Sequence, residues 1–369
     1  MDITEIDPNF KAPGIPEGKY TIEYRDVENS PVAIEGLPWR NQEGLEKPYS
    51  RIPASFTAEN TNTGVMALGY HTSGGVLRFR SDSPVIVLRG RLQASSDMNH
   101  MPRTGSAGFD SYRALNGGFP IYNKTIQPSP KQVEFCGLIG VNPGGEMCDW
   151  IINFPLYGGV NHCEVGIAQG CALLPPKPHK VPKPILFYGS SITQGGCASR
   201  PGNNYTSFLC RKVDAEEINL GFSGSGKGET IVAETIAETP LSAFILDYDH
   251  NAPNAEHLAA THEKFYKIVR EAQKDIPIIM LSRCDFYDNE DCRKRRKIIE
   301  ETWSNARKNG DELVWFINGE TLFGKKCRDA CTVDGTHPND LGFYRMYKHI
   351  LPVLKTALQK AKGRGGKKK

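Results

Sequence analysis

The chain has 369 residues, of which 39% are hydrophobic and 24% charged, and its formal net charge is +3. This composition excludes a disordered chain, and the sequence has no apolar run of the roughly 20 residues that a membrane-spanning helix needs. A chain of this length is expected to form two domains of about 100–200 residues each.

The positive net charge comes from the last residues of the sequence. Residues 360–369 carry six basic side chains and no acid, so the rest of the chain sums to −3. We expect 358–369 to form a basic, flexible, solvated tail. The faintly acidic body argues against nucleic acid as a partner, and a membrane partner is not expected either. The N-terminus lacks the basic and apolar segments of a signal peptide, which predicts a cytoplasmic protein unless the sequence is trimmed.

Residues 1–174 have the pattern of an antiparallel β domain. Nineteen of the 25 prolines lie at or before Pro184, and short apolar runs alternate with turn residues. Apolar residues alternate with arginines in 76–81, and after a Ser-Asp-Ser-Pro break the alternation resumes in 85–89. This pattern predicts strands with one buried face each. We therefore predict a β-sandwich or jelly roll, followed by a proline-rich linker over 175–184.

Residues 185–357 change to short apolar strands that alternate with helices. The five strands are predicted at 185–188, 217–220, 244–248, 278–281 and 313–317. Continuous apolar strands with helical crossovers predict a parallel sheet that helices cover on both faces. Ligand sites in such sheets lie beyond the carboxyl ends of the strands, so the loops after the strands are candidates for a functional site.

Three of these loops carry residues that suit acyl transfer. The first, GSSITQGG at 189–196, places serines on a tight turn after a strand. The second, NLGFSGSGKGE at 219–229, is rich in glycine and exposes main-chain N–H groups that suit a developing oxyanion. The third, DYDHNAPN at 247–254, contains the amide of Asn251. Each loop alone is a weak signal, because Ser/Gly loops and turn-forming asparagines are common.

A fourth loop, VDGTHPNDLGF at 333–343, precedes the last predicted helix. Asp334 and His337 lie three residues apart in it. At this separation a carboxylate can hold the Nδ1–H of an imidazole while Nε2 faces outward as a base. Together the four loops contain a nucleophile, an oxyanion hole and a base with its orienting carboxylate.

Two other interpretations of these loops compete with acyl transfer. Gly221 to Lys227 spells GxxxxGK, but the next residue is Gly228 instead of the Ser or Thr of a phosphate-binding loop. Cys327 and Cys331 lie near His337 in the sequence and permit a zinc site, although no CxxC pair supports it. We expect neither a metal nor another cofactor.

The four loops resemble the four sequence blocks of the SGNH/GDSL hydrolase superfamily. GSSIT matches the nucleophile block, and the resemblance makes Ser191 the nucleophile. NLGFSG matches the glycine block, so Gly224 is implied as an oxyanion donor together with the N–H of Ser191. The asparagine block falls on Asn251, a third oxyanion donor. DGTHP matches the last block, with Asp334 and His337 completing a catalytic triad.

The sequence departs from these blocks at two places. Ser190 stands where the family usually has Asp, and His250-Asn251-Ala252 replaces Gly-x-Asn-Asp. The longer strings GSSITQGGCASRPG and TVDGTHPNDLGFYRM resemble a bacterial branch with an N-terminal β-sandwich that carries a GxDLY motif. Residues 98–112 (MNHMPRTGSAGFDSY) are similar to that motif, with Ser111 in place of Leu.

The resemblance implies a flavodoxin-like α/β catalytic domain over 185–357, preceded by a β-sandwich. It implies a metal-free serine esterase that removes small acyl groups, above all acetyl, from plant-polysaccharide oligosaccharides. His100 is a candidate substrate contact from the sandwich. Two alternatives are a carbohydrate-binding protein with an inactive hydrolase domain and a general small-ester or lipase-like hydrolase of the same superfamily. An oligomer is compatible with the sequence.

Overall fold

The computed structural model describes residues 3–7, 14–15, 18–284 and 289–365. Within them the strands, numbered in chain order, are Ile22–Asp26 (β1), Ala33–Glu35 (β2), Val76–Ser81 (β3), Val85–Leu92 (β4), Phe109–Leu115 (β5), Ile121–Ile126 (β6), Glu134–Val141 (β7), Cys148–Asn153 (β8), Val160–Ala168 (β9), Leu173–Leu174 (β10), Ile185–Gly189 (β11), Glu217–Gly221 (β12), Ala243–Asp247 (β13), Ile278–Leu281 (β14) and Val314–Ile317 (β15). The α-helices of the same residues are Ile3–Ile6 (α1), Thr63–Leu68 (α2), Arg103–Ser106 (α3), Ser191–Gln194 (α4), Tyr205–Val213 (α5), Thr230–Glu238 (α6), Ala255–Ala272 (α7), Glu290–Lys308 (α8) and Asp340–Gly365 (α9).

The first ten strands form two antiparallel sheets that pack face to face. One sheet has the order β1-β9-β4-β7, and the other has the order β10-β3-β8-β5-β6 with β2 also paired to β3. Side chains from both sheets share one apolar core, which includes Leu77, Ile86, Trp150 and Val165. This arrangement confirms the predicted β-sandwich, since alternate residues of each strand fill the space between the sheets.

Strand β4 differs from its predicted pattern of one buried face. Strand β3 does alternate between buried and half-buried residues, but the first four residues of β4 are all buried. Val85 packs in a second small cluster on the outer face, which Tyr20 and Ile22 help to cover. The prediction for β4 was wrong because side chains of the neighbouring strands in the same sheet pack around Val85 on the outer face, and local alternation carries no information about such contacts.

The last five strands form a parallel sheet with the order β12-β11-β13-β14-β15. This is the 2-1-3-4-5 order of flavodoxin-like folds and confirms the predicted α/β architecture. Strands β11, β12 and β13 are buried at every residue. Helices α5 and α9 cover one face, and α6, α7 and α8 cover the other. The carboxyl ends of β11, β12 and β13 therefore lie side by side, where the order of the strands reverses.

The proline-rich segment 175–184 lies along the surface of both domains. Two arginines of β3 hold its first part: Arg78 donates to the carbonyl of Lys177 and Arg80 to that of Pro175. Further on, the buried Val181 donates its N–H to the carbonyl of Asp214 at 3.0 Å. The segment thus forms a strap that is anchored to each domain.

The predicted tail at 358–369 is helical over its described part, and 366–369 lie outside the described residues. Helix α9 continues to Gly365, past the predicted boundary at residue 358. Ala357 and Leu358 are buried in the core that α9 shares with the parallel sheet. The basic charges predicted a solvated tail from residue 358, whereas the apolar stripe of α9 continues through these two residues. No helix among the described residues is long and apolar enough to cross a lipid bilayer.

Candidate active site

A sharp turn after β11 presents Ser191 at the edge of the parallel sheet. Ser190 caps α4, and its hydroxyl accepts the N–H of Ile192 at 3.2 Å. Ser191 is the first residue of this single helical turn, so its own N–H has no carbonyl partner within the helix. Gly195 ends the turn with φ of 103°, a conformation that favours glycine. The serine at the family's Asp position therefore serves as the helix cap.

Ser191, His337 and Asp334 form a continuous hydrogen-bonded chain. Ser191 Oγ lies 2.9 Å from His337 Nε2. On the other side of the ring, His337 Nδ1 donates to Asp334 Oδ2 at 2.7 Å. Because the carboxylate accepts at Nδ1, the neutral imidazole has its lone pair on Nε2, toward the serine. The structure thus brings together three residues that are predicted from loops at opposite ends of the catalytic domain.

The carboxylate of Asp334 is held in its ionised form. Its Oδ1 accepts the main-chain N–H groups of His337 at 2.7 Å and Thr336 at 3.0 Å. Burial raises the pKa of Asp334, but the hydrogen bonds from the main chain and imidazole of His337 lower it more, to about 2. This group therefore stays negatively charged at neutral pH, beside the ring on which a positive charge would form.

The two other predicted oxyanion residues lie on neighbouring loops. Asn251 closes a 3₁₀ turn after β13, and its Nδ2 donates to the carbonyl of Phe222 at 2.8 Å. Gly224 lies in the loop after β12 and has φ of +63°. A Cβ atom at this position would have no neighbouring atom within 4 Å. Within the described residues the N–H of Gly224 has no hydrogen-bond partner. One N–H of the Asn251 amide also remains available.

Gln194 connects the serine turn to the Gly224 loop, a role that the sequence did not indicate. Its Oε1 accepts both the N–H and the hydroxyl of Ser223, each at 3.0 Å. Its Nε2 donates to the sandwich, to the carbonyl of Leu156 and to His71 Nδ1, each at 3.2 Å. Burial and the nearby Arg51 lower the pKa of His71 to about 4, so this ring stays neutral and can accept. We refer to these contacts as the Gln194 clamp.

Arg51 of the sandwich also supports the Gly224 loop. The guanidinium is fully buried and donates to the carbonyls of Asn219 at 2.7 Å and Gly221 at 2.8 Å. Its carbon also lies 4.9 Å from the ring centroid of Phe222. Main-chain carbonyls satisfy this buried cation, so it fixes the end of β12 immediately before the glycine loop.

His100 reaches the site from the sandwich, where the sequence placed a candidate substrate contact. Its ring centroid lies 5.7 Å from that of His337, and its Nε2 lies 3.7 Å from Asp334 Oδ2. The side chain is partly exposed. The N-terminal domain therefore contributes to the rim of the site.

His250 is a site residue that sequence reasoning passed over. It belongs to the same 3₁₀ turn as Asn251, its Nε2 lies 3.9 Å from Cys284 Sγ, and its ring interacts electrostatically with His337. Burial and the nearby Arg283 lower the pKa of His250 well below its ordinary value. The departure from the family pattern at 250–252 is the feature of the sequence that points to it.

The geometry argues against the two competing interpretations of these loops. The N–H of Lys227, in the GxxxxGK sequence, is taken by the Glu229 carboxylate, which would repel a phosphate. The zinc interpretation fails on Cys331, since the Arg345 guanidinium lies 3.3 Å from its sulfur and would repel a cation.

Comparison with known proteins agrees with this architecture. Residues 182–355 match the GDSL-like lipase/acylhydrolase family, and residues 22–173 match the N-terminal domain of SGNH-hydrolase-type esterases named GxDLY. No curated protein sequence matches the chain. A crystal structure from Bacteroides ovatus, described as a GDSL-like lipase, is 28% identical with a TM-score of 0.80, covering 92% of this chain and 98% of that one.

Two more distant structures share the fold. The salicylyl-acyltransferase SsfX3 from a tetracycline biosynthetic pathway is 18% identical with a TM-score of 0.70, covering 89% of this chain and 95% of its own. A family two carbohydrate esterase from Clostridium thermocellum, solved with cellohexaose, is 13% identical with a TM-score of 0.58, covering 78% of this chain and 94% of its own. Residues 182–355 therefore belong to the GDSL-like lipase/acylhydrolase family and residues 22–173 form a GxDLY domain, so the chain is an enzyme of the SGNH esterase/acyl hydrolase type.

Proposed function

We propose that this protein is a serine esterase that removes acetyl and other small acyl groups from plant-polysaccharide-derived oligosaccharides. The observation that carries the proposal is the hydrogen-bonded chain from Ser191 Oγ through His337 to Asp334, with bonds of 2.9 and 2.7 Å. These distances match the reach that a nucleophile, its base and an orienting carboxylate need.

In the proposed first step, His337 Nε2 takes the hydroxyl proton of Ser191 while Oγ attacks the ester carbonyl carbon. Asp334 keeps the proton on Nδ1 and stabilises the imidazolium that forms. As the tetrahedral intermediate collapses, the bond to the sugar oxygen breaks and His337 gives its proton to that oxygen. Water then repeats the sequence on the acyl-enzyme, which releases acetate and restores the Ser191 hydroxyl.

The negative oxygen of the tetrahedral intermediate would lie between three donors. They are the main-chain N–H groups of Ser191 and Gly224 and the free N–H of the Asn251 side chain. Donors that are already in place stabilise this charge without reorganising during the reaction. No group in the described part of the chain accepts the N–H of Gly224, which supports this role.

Close packing beside the serine favours a small acyl group. A Cβ atom at Gly196 would lie 2.9 Å from the Tyr157 hydroxyl and 3.4 Å from His337 Cδ2. Tyr157 is itself buried and is bound to Ser223 at 2.8 Å. Gly196 donates its N–H to the Ser191 carbonyl at 2.7 Å, so this packing lies next to the proposed nucleophile and suits an acetyl group better than a long acyl chain.

The nucleophile is tested with a pair of adjacent serines. We expect Ser191→Ala to fold normally and to lose more than about 10³-fold in turnover of p-nitrophenyl acetate. Ser190→Ala is the matched control, since it removes only the helix cap and should cost about 1 kcal/mol of stability. Full activity of the Ser191 variant would overturn the proposal.

The substrate class is tested by acetate release from acetylated xylan, mannan and pectin oligosaccharides. Release from at least one of them, lost in Ser191→Ala, supports the proposal. Turnover of p-nitrophenyl acetate without acetate release from any oligosaccharide would indicate a general small-ester hydrolase. Oligosaccharide binding measured by calorimetry, with no turnover of any ester, would indicate a carbohydrate-binding protein.

A further inference from the structure

Three side chains of types that commonly bind metal ions lie close together at the rim of the candidate active site. Each comes from a different part of the chain. His100 belongs to the sandwich, Cys197 to the turn after α4, and His337 to the loop before α9. One donor atom from each lies within 4.8 Å of the others. The set contains two imidazoles and a thiol, which is the donor chemistry that Zn²⁺ prefers.

We propose that these three residues form an inhibitory site for Zn²⁺ or a similar thiophilic divalent cation. The inference rests on the proposed role of His337 as the base. A cation on its Nε2 occupies the lone pair that would accept the serine proton, and so it stops acyl transfer. The protein would then lose activity reversibly as free Zn²⁺ rises.

Asp334 prepares His337 for a metal by the same contact that prepares it for catalysis. The Nδ1–H of the ring is bound to Asp334 Oδ2 at 2.7 Å, which leaves the lone pair on Nε2, where a cation would displace the hydroxyl proton of Ser191 Oγ at 2.9 Å. Metal-binding histidines commonly donate their second nitrogen to a carboxylate in this way, and the contact fixes the tautomer and strengthens the ligand.

The serine turn places Cys197 against the reactive edge of the ring. A Cβ atom at the preceding residue, Gly196, would lie 3.4 Å from His337 Cδ2, which is bonded to Nε2. Cys197 itself is buried and has φ of +76°, a left-handed conformation that a non-glycine residue rarely adopts. The turn thus holds the sulfur beside His337.

Only a modest movement would complete the site. A tetrahedral Zn²⁺ with bonds of about 2.0–2.3 Å holds its ligand atoms roughly 3.3–3.8 Å apart. The partly exposed side chain of His100 can rotate to close the remaining gap, whereas the other two ligands are more confined. The S–H bond of Cys197 breaks as the Zn–S bond forms, and the proton leaves to solvent. Ser191 Oγ or water would take the fourth position.

The inhibition test measures p-nitrophenyl acetate turnover against Zn²⁺ concentration. We expect inhibition that a chelator reverses, and an inhibition constant at least about tenfold higher in Cys197→Ser and in His100→Ala. Each variant is compared with its own rate without metal. The exposed Cys136 and His162 lie on the sandwich, and Cys136→Ser and His162→Ala should keep the wild-type inhibition constant. An unchanged constant in both site variants overturns the proposal.

A second readout does not depend on catalysis. Co²⁺ added to the full-length protein should give a thiolate charge-transfer absorption that is present in Ser191→Ala and absent in Cys197→Ser. If Cys197→Ser does not fold, Cys197→Gly replaces it in this test, because glycine readily adopts the left-handed conformation of residue 197. Absence of the absorption from the wild-type protein would refute the metal site, whereas an active Ser191→Ala variant would refute only the proposed nucleophile.

Discussion

Asp247 is a buried carboxyl group below the serine turn. It ends β13, and its Oδ2 accepts the hydroxyls of Tyr205 at 2.8 Å and Thr193 at 3.1 Å. Thr193 belongs to the same helical turn as Ser191, so the carboxyl group supports the turn that carries the proposed nucleophile. Burial raises the pKa of Asp247 to about 7, although the two hydroxyls lower it in part. The protonation of a residue outside the triad therefore changes near neutral pH.

This raised pKa predicts how stability depends on pH. In the unfolded chain an Asp has a pKa of about 3.9, so between about pH 4 and pH 7 the folded state binds more protons at Asp247 than the unfolded state does. The free energy of unfolding therefore falls as pH rises through this window, by up to about 1.4 kcal/mol per pH unit. Asp247→Asn removes this contribution.

Thermal melting from pH 5 to pH 8 measures the effect. The melting temperature of Asp247→Asn minus that of the wild type should increase with pH. The exposed Asp275 provides a matched control, because Asp275→Asn makes the same chemical change at a surface position. A difference for Asp247→Asn that varies with pH no more than the difference for Asp275→Asn would show that Asp247 titrates as it does in the unfolded chain.

At the scale of elements, α4 is a single turn held from both ends. Ser190 caps its start, and the Gln194 clamp holds its end to Ser223 and to the sandwich. A helix this short has little stability of its own, because nucleation is unfavourable and few internal bonds form. The position of Ser191 relative to the Gly224 loop therefore depends on contacts outside the helix.

The Gln194 clamp is tested with Gln194→Met, which keeps the length of the side chain but loses all its hydrogen bonds. Because Ser223 directly precedes Gly224, we expect the N–H of Gly224 to shift when the clamp is lost. The value of kcat should then fall, by at most the factor of about 10²–10³ that loss of one oxyanion donor costs. KM should change little. Gln273→Met is the control, since Gln273 also binds main-chain carbonyls but lies at the end of α7. Equal kcat values for the two variants would argue against the clamp.

At the scale of the whole molecule, a buried ionic contact joins the two domains. Asp110, in the GFDSY sequence of β5, accepts from Arg200 Nη1 at 2.6 Å and from the N–H of Gly202 at 3.1 Å. On the sandwich side it accepts from Asn153 Nδ2 at 2.8 Å. The Asp of the GxDxY pattern thus binds the segment that leads from the serine turn into α5. The Tyr112 hydroxyl accepts from the same Arg200 Nη1, so the Asp and the Tyr of the motif both help to fix one domain on the other.

We expect Asp110→Ala to lower the free energy of unfolding by about 3–5 kcal/mol, because Arg200 would keep its charge without its buried partner. Urea denaturation measures this change. The Arg91–Glu134 pair is exposed, so Glu134→Ala should cost less than about 1 kcal/mol. A similar small loss in Asp110→Ala would mean that solvent compensates Arg200 and that other contacts hold the domains together.

The sequence by itself determined the two-domain order, the five parallel strands and the loops that carry Ser191, Asp334 and His337. It could do so because strand periodicity is local and because the carboxyl ends of parallel strands meet at one edge of the sheet. Only the tertiary structure decided which residues surround these loops. The Gln194 clamp, the Arg51 support and the approach of His100 join positions far apart in the chain, and the buried state of Asp247 depends on the helices packed over it. A local pattern shows which face of a strand or helix is apolar, but it does not show which other element packs against that face. The outer face of β4 and the C-terminal end of α9 are two further examples.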